Sequence, residues 1–177
     1  MANEQRGKQI KILRRQEDRN KRLPVLLDEL SKITNRKFVV NEVLTTEQID
    51  EHQIQLNGAD FNFNYLNLSF PVNKASELNK VLSVLKDKLS QTNYFTLSQF
   101  CDIAILNINT DFIIDKFEDL INFDKDTFTV YDHNYKNGLW IDLIQEYWHL
   151  DSKTEFIWIY ELRIFGKDWI KIINQSF

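Results

Sequence analysis

The chain has 177 residues, 43% of them hydrophobic and 13% aromatic, with a formal net charge of −4. That is one ordinary domain with enough apolar material for a full core, and it excludes a disordered chain, which needs low hydrophobicity and high net charge. The single cysteine, Cys101, excludes an intramolecular disulfide; with a charged start and no run of about 18 apolar residues, it points to a cytoplasmic protein with no membrane partner. Four glycines and two prolines leave little material for a Gly-rich phosphate loop.

Charge is unevenly spread. Residues 1–22 hold eight basic side chains (Arg6, Lys8, Lys11, Arg14, Arg15, Arg19, Lys21, Arg22) and three acidic ones, and the remainder carries a net −9. Residues 4–22 have helical propensity with few apolar anchors. Leu23 precedes Pro24 and is pushed away from α geometry, so a break is expected there. Residues 1–23 therefore read as a basic helical arm and 24–177 as the domain proper. Pro24 suits the first turn of a new helix, and Val25, Leu26, Leu27, Leu30 and Ile33 continue it at helical spacing.

A short strand is expected at Phe38–Val43. Thr45 and Gln48 form a capping-box pair, predicting a helix from about Thr46 to Gln55. Residues 61–70 alternate, with Phe61, Phe63 and Tyr65 on one face and Leu66, Leu68 and Phe70 on the other. The phase switch suggests a bulge, and Pro71 ends the strand. A helix over about 74–90, capped by Asn73, lines up Ala75, Leu78, Val81, Leu82, Leu85 and Leu89. The dense apolar run at 99–108 predicts a strand buried on both faces, with Cys101 as a small buried hydrophobe. Asn109 or Thr110 is expected to cap a helix to Asn122. The last third reads as a meander of strands at Thr127–Tyr131, Leu139–Trp148 and Glu155–Phe165, then a helix capped by Asp168. The fold class is α+β: a single domain, mainly antiparallel sheet with flanking helices and a basic N-terminal helix.

Three candidate sites follow. The basic helix could track phosphates through Arg6, Lys8, Lys11, Arg14, Arg15, Arg19 and Arg22, making a nucleic-acid-associated regulator, or it could dock on a protein partner or on the chain's own acidic body. The aromatic C-terminal third holds all four tryptophans. There Trp140, Asp142, Ile144, Glu146 and Trp148 share one side of a strand, and aromatics beside acids are an interface composition. On the following strand, Phe156, Trp158, Tyr160, Leu162 and Ile164 are expected to face the core. Acid–base chemistry would have to be assembled from His133, His149 and neighbouring acids, or from Asp142, Glu146, Glu155 and Glu161. No spacing suits a zinc site, and Asp124-x-Asp126 lacks the glycine and the final acid of a calcium loop. No nucleophile elbow, P-loop or dinucleotide fingerprint is present, so no cofactor and no metal are expected.

The segment Gly138-Leu139-Trp140-Ile141-Asp142, followed by Trp158-Ile159-Tyr160-Glu161-Leu162-Arg163-Ile164-Phe165-Gly166-Lys167-Asp168-Trp169, resembles the C-terminal region of small bacterial immunity proteins, which neutralise polymorphic or contact-dependent toxins. The resemblance covers roughly residues 124–170. It implies an acidic, cytosolic α+β protein that binds one enzyme tightly and performs no chemistry. The expected function is thus a non-enzymatic inhibitor of a partner such as a toxin or nuclease, contacted by Trp140, Asp142, Glu146 and Trp148. Opposite potential between an acidic body and a basic nuclease cleft would speed their encounter. The alternatives are the nucleic-acid regulator and an enzyme of unrecognised type.

Overall fold

The computed structural model describes residues 2–58, 65–125, 127–150 and 153–177. Helix α1 runs from Ala2 to Thr34 without interruption, with Pro24 inside it. The break expected at Leu23–Pro24 does not occur. Proline costs the hydrogen bond to the carbonyl of residue 20, but Leu23, Leu26, Leu27 and Leu30 are buried on either side of it. Packing of that apolar stripe outweighs one missing bond. The helix ends at Asn35, whose φ of 52° is the left-handed stop that asparagine tolerates.

The expected strand at Phe38–Val43 is a 3-10 turn at Val40–Glu42. The Val39 N–H donates to the Glu42 carboxylate at 3.0 Å, and Arg36 pairs with the same group. These local bonds compete with extended structure, and only Val43 bridges to Leu106. Helix α2 spans Thr46–Gly58 and has its capping box: the Thr45 N–H donates to Gln48 Oε1 and the Gln48 N–H to Thr45 Oγ1.

Strand β1 is Tyr65–Pro71, with Phe70 and Pro71 buried. Its register is regular throughout, and residues 61–64, where the alternation began, lie outside the described residues. Helix α3 (Ala75–Val84) and the single turn α4 (Lys86–Leu89) meet at Leu85, so the helix expected over 74–90 comes in two pieces. Asn73 caps neither; it sits in a 3-10 turn, Val72–Lys74. Strand β2 (Thr92–Leu97), a 3-10 turn (Ser98–Phe100) and strand β3 (Leu106–Asn109) replace the strand expected at 99–108. The apolar run through Ile103, Ala104 and Ile105 is buried as irregular chain. Its backbone is satisfied by a loop: the Leu44 N–H donates to the Ile105 carbonyl at 2.8 Å. Cys101 is exposed on the turn between β2 and β3, contrary to expectation.

Helix α5 (Ile113–Asp124) buries Ile113, Ile114, Phe117, Leu120 and Ile121 as its periodicity predicts. Neither Asn109 nor Thr110 caps it. The Thr110 hydroxyl donates to the Leu89 carbonyl at 3.0 Å instead. Strands β4 (Phe128–Tyr131), β5 (Gly138–Leu150) and β6 (Lys153–Phe165) lead to helix α6 (Lys167–Ser176).

The strands form one sheet in the order β1-β6-β5-β4-β2-β3, with every pair antiparallel. Register fixes its two faces. Phe70, Leu97, Phe95, Phe128, Val130, Leu139, Ile141, Leu162 and Ile164 point to one side, into a core shared with α1, α3, α5 and α6. Their alternating neighbours Tyr94, Thr96, Thr129, Tyr131, Trp140 and Arg163 point to the other side, where α2 packs through His52. The described residues therefore form one α+β domain with helices on both faces of a mainly antiparallel sheet.

The two longest strands outrun their neighbours. β4 pairs with β5 only over Gly138–Ile141, and β1 pairs with β6 only over Ile159–Phe165. Beyond those limits β5 and β6 continue to pair with each other as far as Leu150 and Lys153. At about 3.3 Å per residue, a two-stranded ribbon projects roughly 20 Å past the rest of the sheet.

Candidate functional site

Strands β5 and β6 present two different surfaces. On the side away from the main core, Trp140 is half-buried and lies under the Arg163 guanidinium, 4.8 Å from its carbon to the ring centre. Arg163 also pairs with Glu161 at 2.7 Å. Asp142 is half-buried and opposes Glu161 directly across the strands, while Glu146 is exposed and opposes Ile157. Like charges facing across a ladder repel, and Arg163 supplies the compensating cation one register step away. Ile144 and the fully buried Ile159 separate this acidic pair from Glu146. The expected contact residues Trp140, Asp142 and Glu146 thus share a face. Trp148 pairs with Glu155 on the same ribbon, but the side chains of both lie outside the described residues.

The other surface departs from expectation. Phe156 and Trp158 were expected in the core. They are 55% and 51% exposed, and the neighbouring Tyr147 is 74% exposed. Tyr147 and Phe156 pair with ring centres 5.1 Å apart. The alternation does continue from Tyr160, Leu162 and Ile164, all buried. The same face that meets α5 at Tyr160 is about half exposed at Trp158.

The basic face of α1 is partly spent on the protein's own body. Arg15 donates through Nε to the Asp102 carbonyl at 2.6 Å and pairs with Asp50. Arg19 donates to the carbonyls of Ile103 and Leu44, the latter at 2.7 Å. Arg22 donates to the Gln99 carbonyl at 2.5 Å, pairs with Asp18 and stacks on Phe100. These three arginines satisfy carbonyls of the irregular segment 99–103, which has no ladder of its own. Arg6, Lys11 and Arg14 are exposed, together with Ile10, Ile12 and Leu13; the side chain of Lys8 lies outside the described residues. Lys21 pairs along the helix with Glu17.

A third cluster was not assembled by spacing. His52, on α2, is 3% exposed. Its ring packs edge-on against Tyr94 of β2, Tyr131 of β4 and Tyr135 of the β4–β5 loop, at 4.8, 5.9 and 5.0 Å between centres. Burial among rings pulls its pKa down to about 4, so it is neutral at neutral pH. The Tyr135 hydroxyl lies 2.9 Å from His52 Nδ1. Burial and the neighbouring Tyr94 push that phenol upward, so Tyr135 stays protonated. His133 packs on Tyr94 at 4.8 Å, and its Nε2 lies 2.6 Å from Asn107 Oδ1. His149, the other histidine offered for acid–base chemistry, is on the ribbon instead, paired with Thr154. A cleft of about 290 Å³ opens beside these rings, lined also by Leu44, Gln48, Glu51 and Gln55.

The loop that presents Tyr135 is built around Asp132 and Asn137. Lys136 N–H and Asn137 Nδ2 donate to the two Asp132 carboxylate oxygens at 2.9 and 2.8 Å. Tyr135 itself adopts a left-handed φ of 55°. Asn137 Oδ1 then accepts the Asp168 and Trp169 N–H groups, so Asn137 and not Asp168 satisfies the start of α6. Gly138 must be glycine, because a Cβ there would collide with the Phe165 ring and the Val130 carbonyl.

The chain matches no family model, no curated protein and no solved structure. Its functional reading therefore rests on its own residues. Among the described residues, no group of three or more His, Cys, Asp or Glu is arranged to hold a metal ion, and no helix is long and apolar enough to cross a membrane. Partial desolvation of its sulfur and the nearby Asp102 push the Cys101 thiol upward, away from a reactive thiolate.

Proposed function

We propose that the protein is a non-enzymatic binding protein that captures and neutralises a protein partner with its β5–β6 ribbon. One observation carries the reading: Tyr147, Phe156 and Trp158 lie exposed side by side on a ribbon that leaves the sheet. An isolated two-stranded ribbon is marginal on its own, and exposed aromatic surface weakens rather than supports a free monomer. Aromatic anchors at the centre of a contact are the commonest source of binding energy. The other face of β5, with Asp142 and Glu146, favours a basic partner, as a toxin or nuclease would be. The resemblance of residues 124–170 to immunity proteins points the same way. The nucleic-acid alternative loses ground because Arg15, Arg19 and Arg22 are engaged with the protein's own carbonyls.

The test compares capture from the native host by the wild type and by a Tyr147→Ala, Trp158→Ala variant. The wild type should retain one basic protein in stoichiometric amount, and the variant should lose it. Equal retention by both, or retention lost on deleting residues 6–14 instead, would overturn the proposal. Asp142→Lys with Glu146→Lys should slow association at low salt and matter less at high salt.

A further inference from the structure

We infer that the cleft between α2 and the β4–β5 loop is a binding site for a planar organic cation of the guanidinium type. This is a separate site from the ribbon and does not depend on it. The cleft holds about 290 Å³ and draws its walls from α2 and the loop before it, β2 and the β4–β5 loop. On α2, Gln48, Glu51, His52 and Gln55 fall at i, i+3, i+4 and i+7, one continuous stripe of the helix. Facing them are rings. Tyr94 stands between Tyr135, stacked at 5.6 Å with 22° between planes, and His133 at 4.8 Å.

The charge of the lining selects the ligand. It contains the Glu51 carboxylate and neither a lysine nor an arginine, so an anion would find no counter-charge. Leu44 is the only aliphatic side chain in the lining, so an apolar ligand would leave polar groups without partners. Gln48 Oε1 already accepts the Thr45 N–H, and the Glu51 carboxylate and the Gln55 amide oxygen add further acceptors to the lining. A carboxylate and an amide oxygen beside tyrosine and histidine faces match a flat group that has only N–H donors and that stacks on aromatic rings. The neutral state of His52 adds no competing positive charge.

The site is also held in shape before anything binds. Tyr135 keeps a left-handed backbone that a bulky side chain rarely adopts, and three hydrogen bonds to Asp132 maintain it: Tyr135 N–H to the backbone carbonyl, Lys136 N–H and Asn137 Nδ2 to the carboxylate. Strain of this kind persists where surrounding structure over-determines it and clusters at functional sites.

The experiment is a titration of full-length protein, labelled in tyrosine and histidine rings, followed by aromatic NMR. The probes are agmatine, an acetylated and amidated Gly-Arg-Gly peptide, and inorganic phosphate as the anion control. Agmatine or the peptide should shift the Tyr94, Tyr135 and His133 signals saturably, at up to about 10 mM probe, the weak end of specific binding. Glu51→Gln, at an exposed position, should leave the circular dichroism and Tm unchanged and weaken binding about tenfold. Saturation by agmatine would identify a free small molecule as sufficient; saturation by the peptide alone would identify a partner's arginine as the source. No saturable shift with either cation, unchanged affinity in Glu51→Gln, or tighter binding of phosphate would overturn the inference. The Tyr147→Ala, Trp158→Ala variant should bind the probes as the wild type does, so failure here and failure of the ribbon proposal are told apart.

Discussion

Strand β6 carries one apolar face through two environments. Tyr160, Leu162 and Ile164 at its C-terminal end are 4%, 0% and 0% exposed, whereas Trp158 and Phe156, in phase with them, are more than half exposed. The chemistry of the side chains is the same, and so is the alternation. The difference is what lies above: Phe117 of α5 meets Tyr160 edge-on at 5.2 Å, and the Tyr160 hydroxyl donates to Glu118 at 3.3 Å, while about half of Trp158 is left open to solvent. An apolar stripe on a strand thus measures the potential for burial. Cover by a second layer decides whether that potential is spent on stability or left for a partner.

That comparison can be broken by mutation. Leu162→Ala, at the covered end, should cost about 3–5 kcal/mol through lost burial and the cavity left behind. Urea denaturation would show it as a lower midpoint at unchanged slope. A cost below about 1 kcal/mol would mean that the covered end is not a packed core.

His52 gives the next largest effect, and it lies on the face of the sheet away from the main core, buried among rings. Its folded pKa of about 4 lies below the ordinary histidine value of about 6.5. The unfolded chain therefore binds more protons between those values, and stability is fullest above pH 6.5. It should fall as pH drops from 6.5 to 4, by about 3 kcal/mol in total if the shift is realised. Denaturation midpoints at pH 7 and pH 4.5 should diverge in the wild type and converge in His52→Gln. A wild type whose midpoint does not change over that range would sink the assignment.

Arg19→Ala should cost about 1.5–3 kcal/mol, the range for hydrogen bonds to a charged group, because the Ile103 and Leu44 carbonyls lose their donor. Lys11→Ala, on the exposed part of the same helix, should lie within about 0.5 kcal/mol of the wild type. Equal effects at the two positions would show that the whole helix is docked alike or not at all.

Smallest in stability is the change at the uncovered end. Tyr147→Ala with Trp158→Ala should alter the folding free energy by less than about 1 kcal/mol, because exposed side chains contribute little to the fold. The same pair should weaken partner binding by at least about tenfold if those rings are anchors. A large loss of stability with intact binding would reverse the roles given to the two ends of β6.

Local pattern was a good guide wherever one physical effect acted alone. The 3.6-residue spacing of Ile113, Ile114, Phe117, Leu120 and Ile121 marked α5. The Thr45–Gln48 pair marked the start of α2, and two-residue alternation marked β5 and β6. Pattern misled where distant groups supplied what the local chain lacked. Pro24 should have ended a helix, but buried leucines on both sides carried it through. The apolar run at 99–108 should have been one strand, but Arg15, Arg19, Arg22 and the Leu44 N–H satisfied its carbonyls from elsewhere. Asp168 should have capped α6, but Asn137, 31 residues earlier, did so. Of the candidate site, the grouping of Trp140, Asp142 and Glu146 was legible in the period of β5. The convergence of His52 with Tyr94, Tyr135 and His133 was not, because those residues come from segments that no spacing rule connects.

By itself, then, the sequence determined the α+β class, the periodicity of the helices and strands, and the concentration of aromatics in the last third. Those follow from short-range sterics and from the alternation of apolar side chains, which every residue carries with it. Tertiary structure alone decided which apolar faces are covered, where a basic helix spends its arginines and which rings gather around His52. Burial and long-range hydrogen bonds depend on what stands opposite a residue in space, and the chain's own order does not contain that.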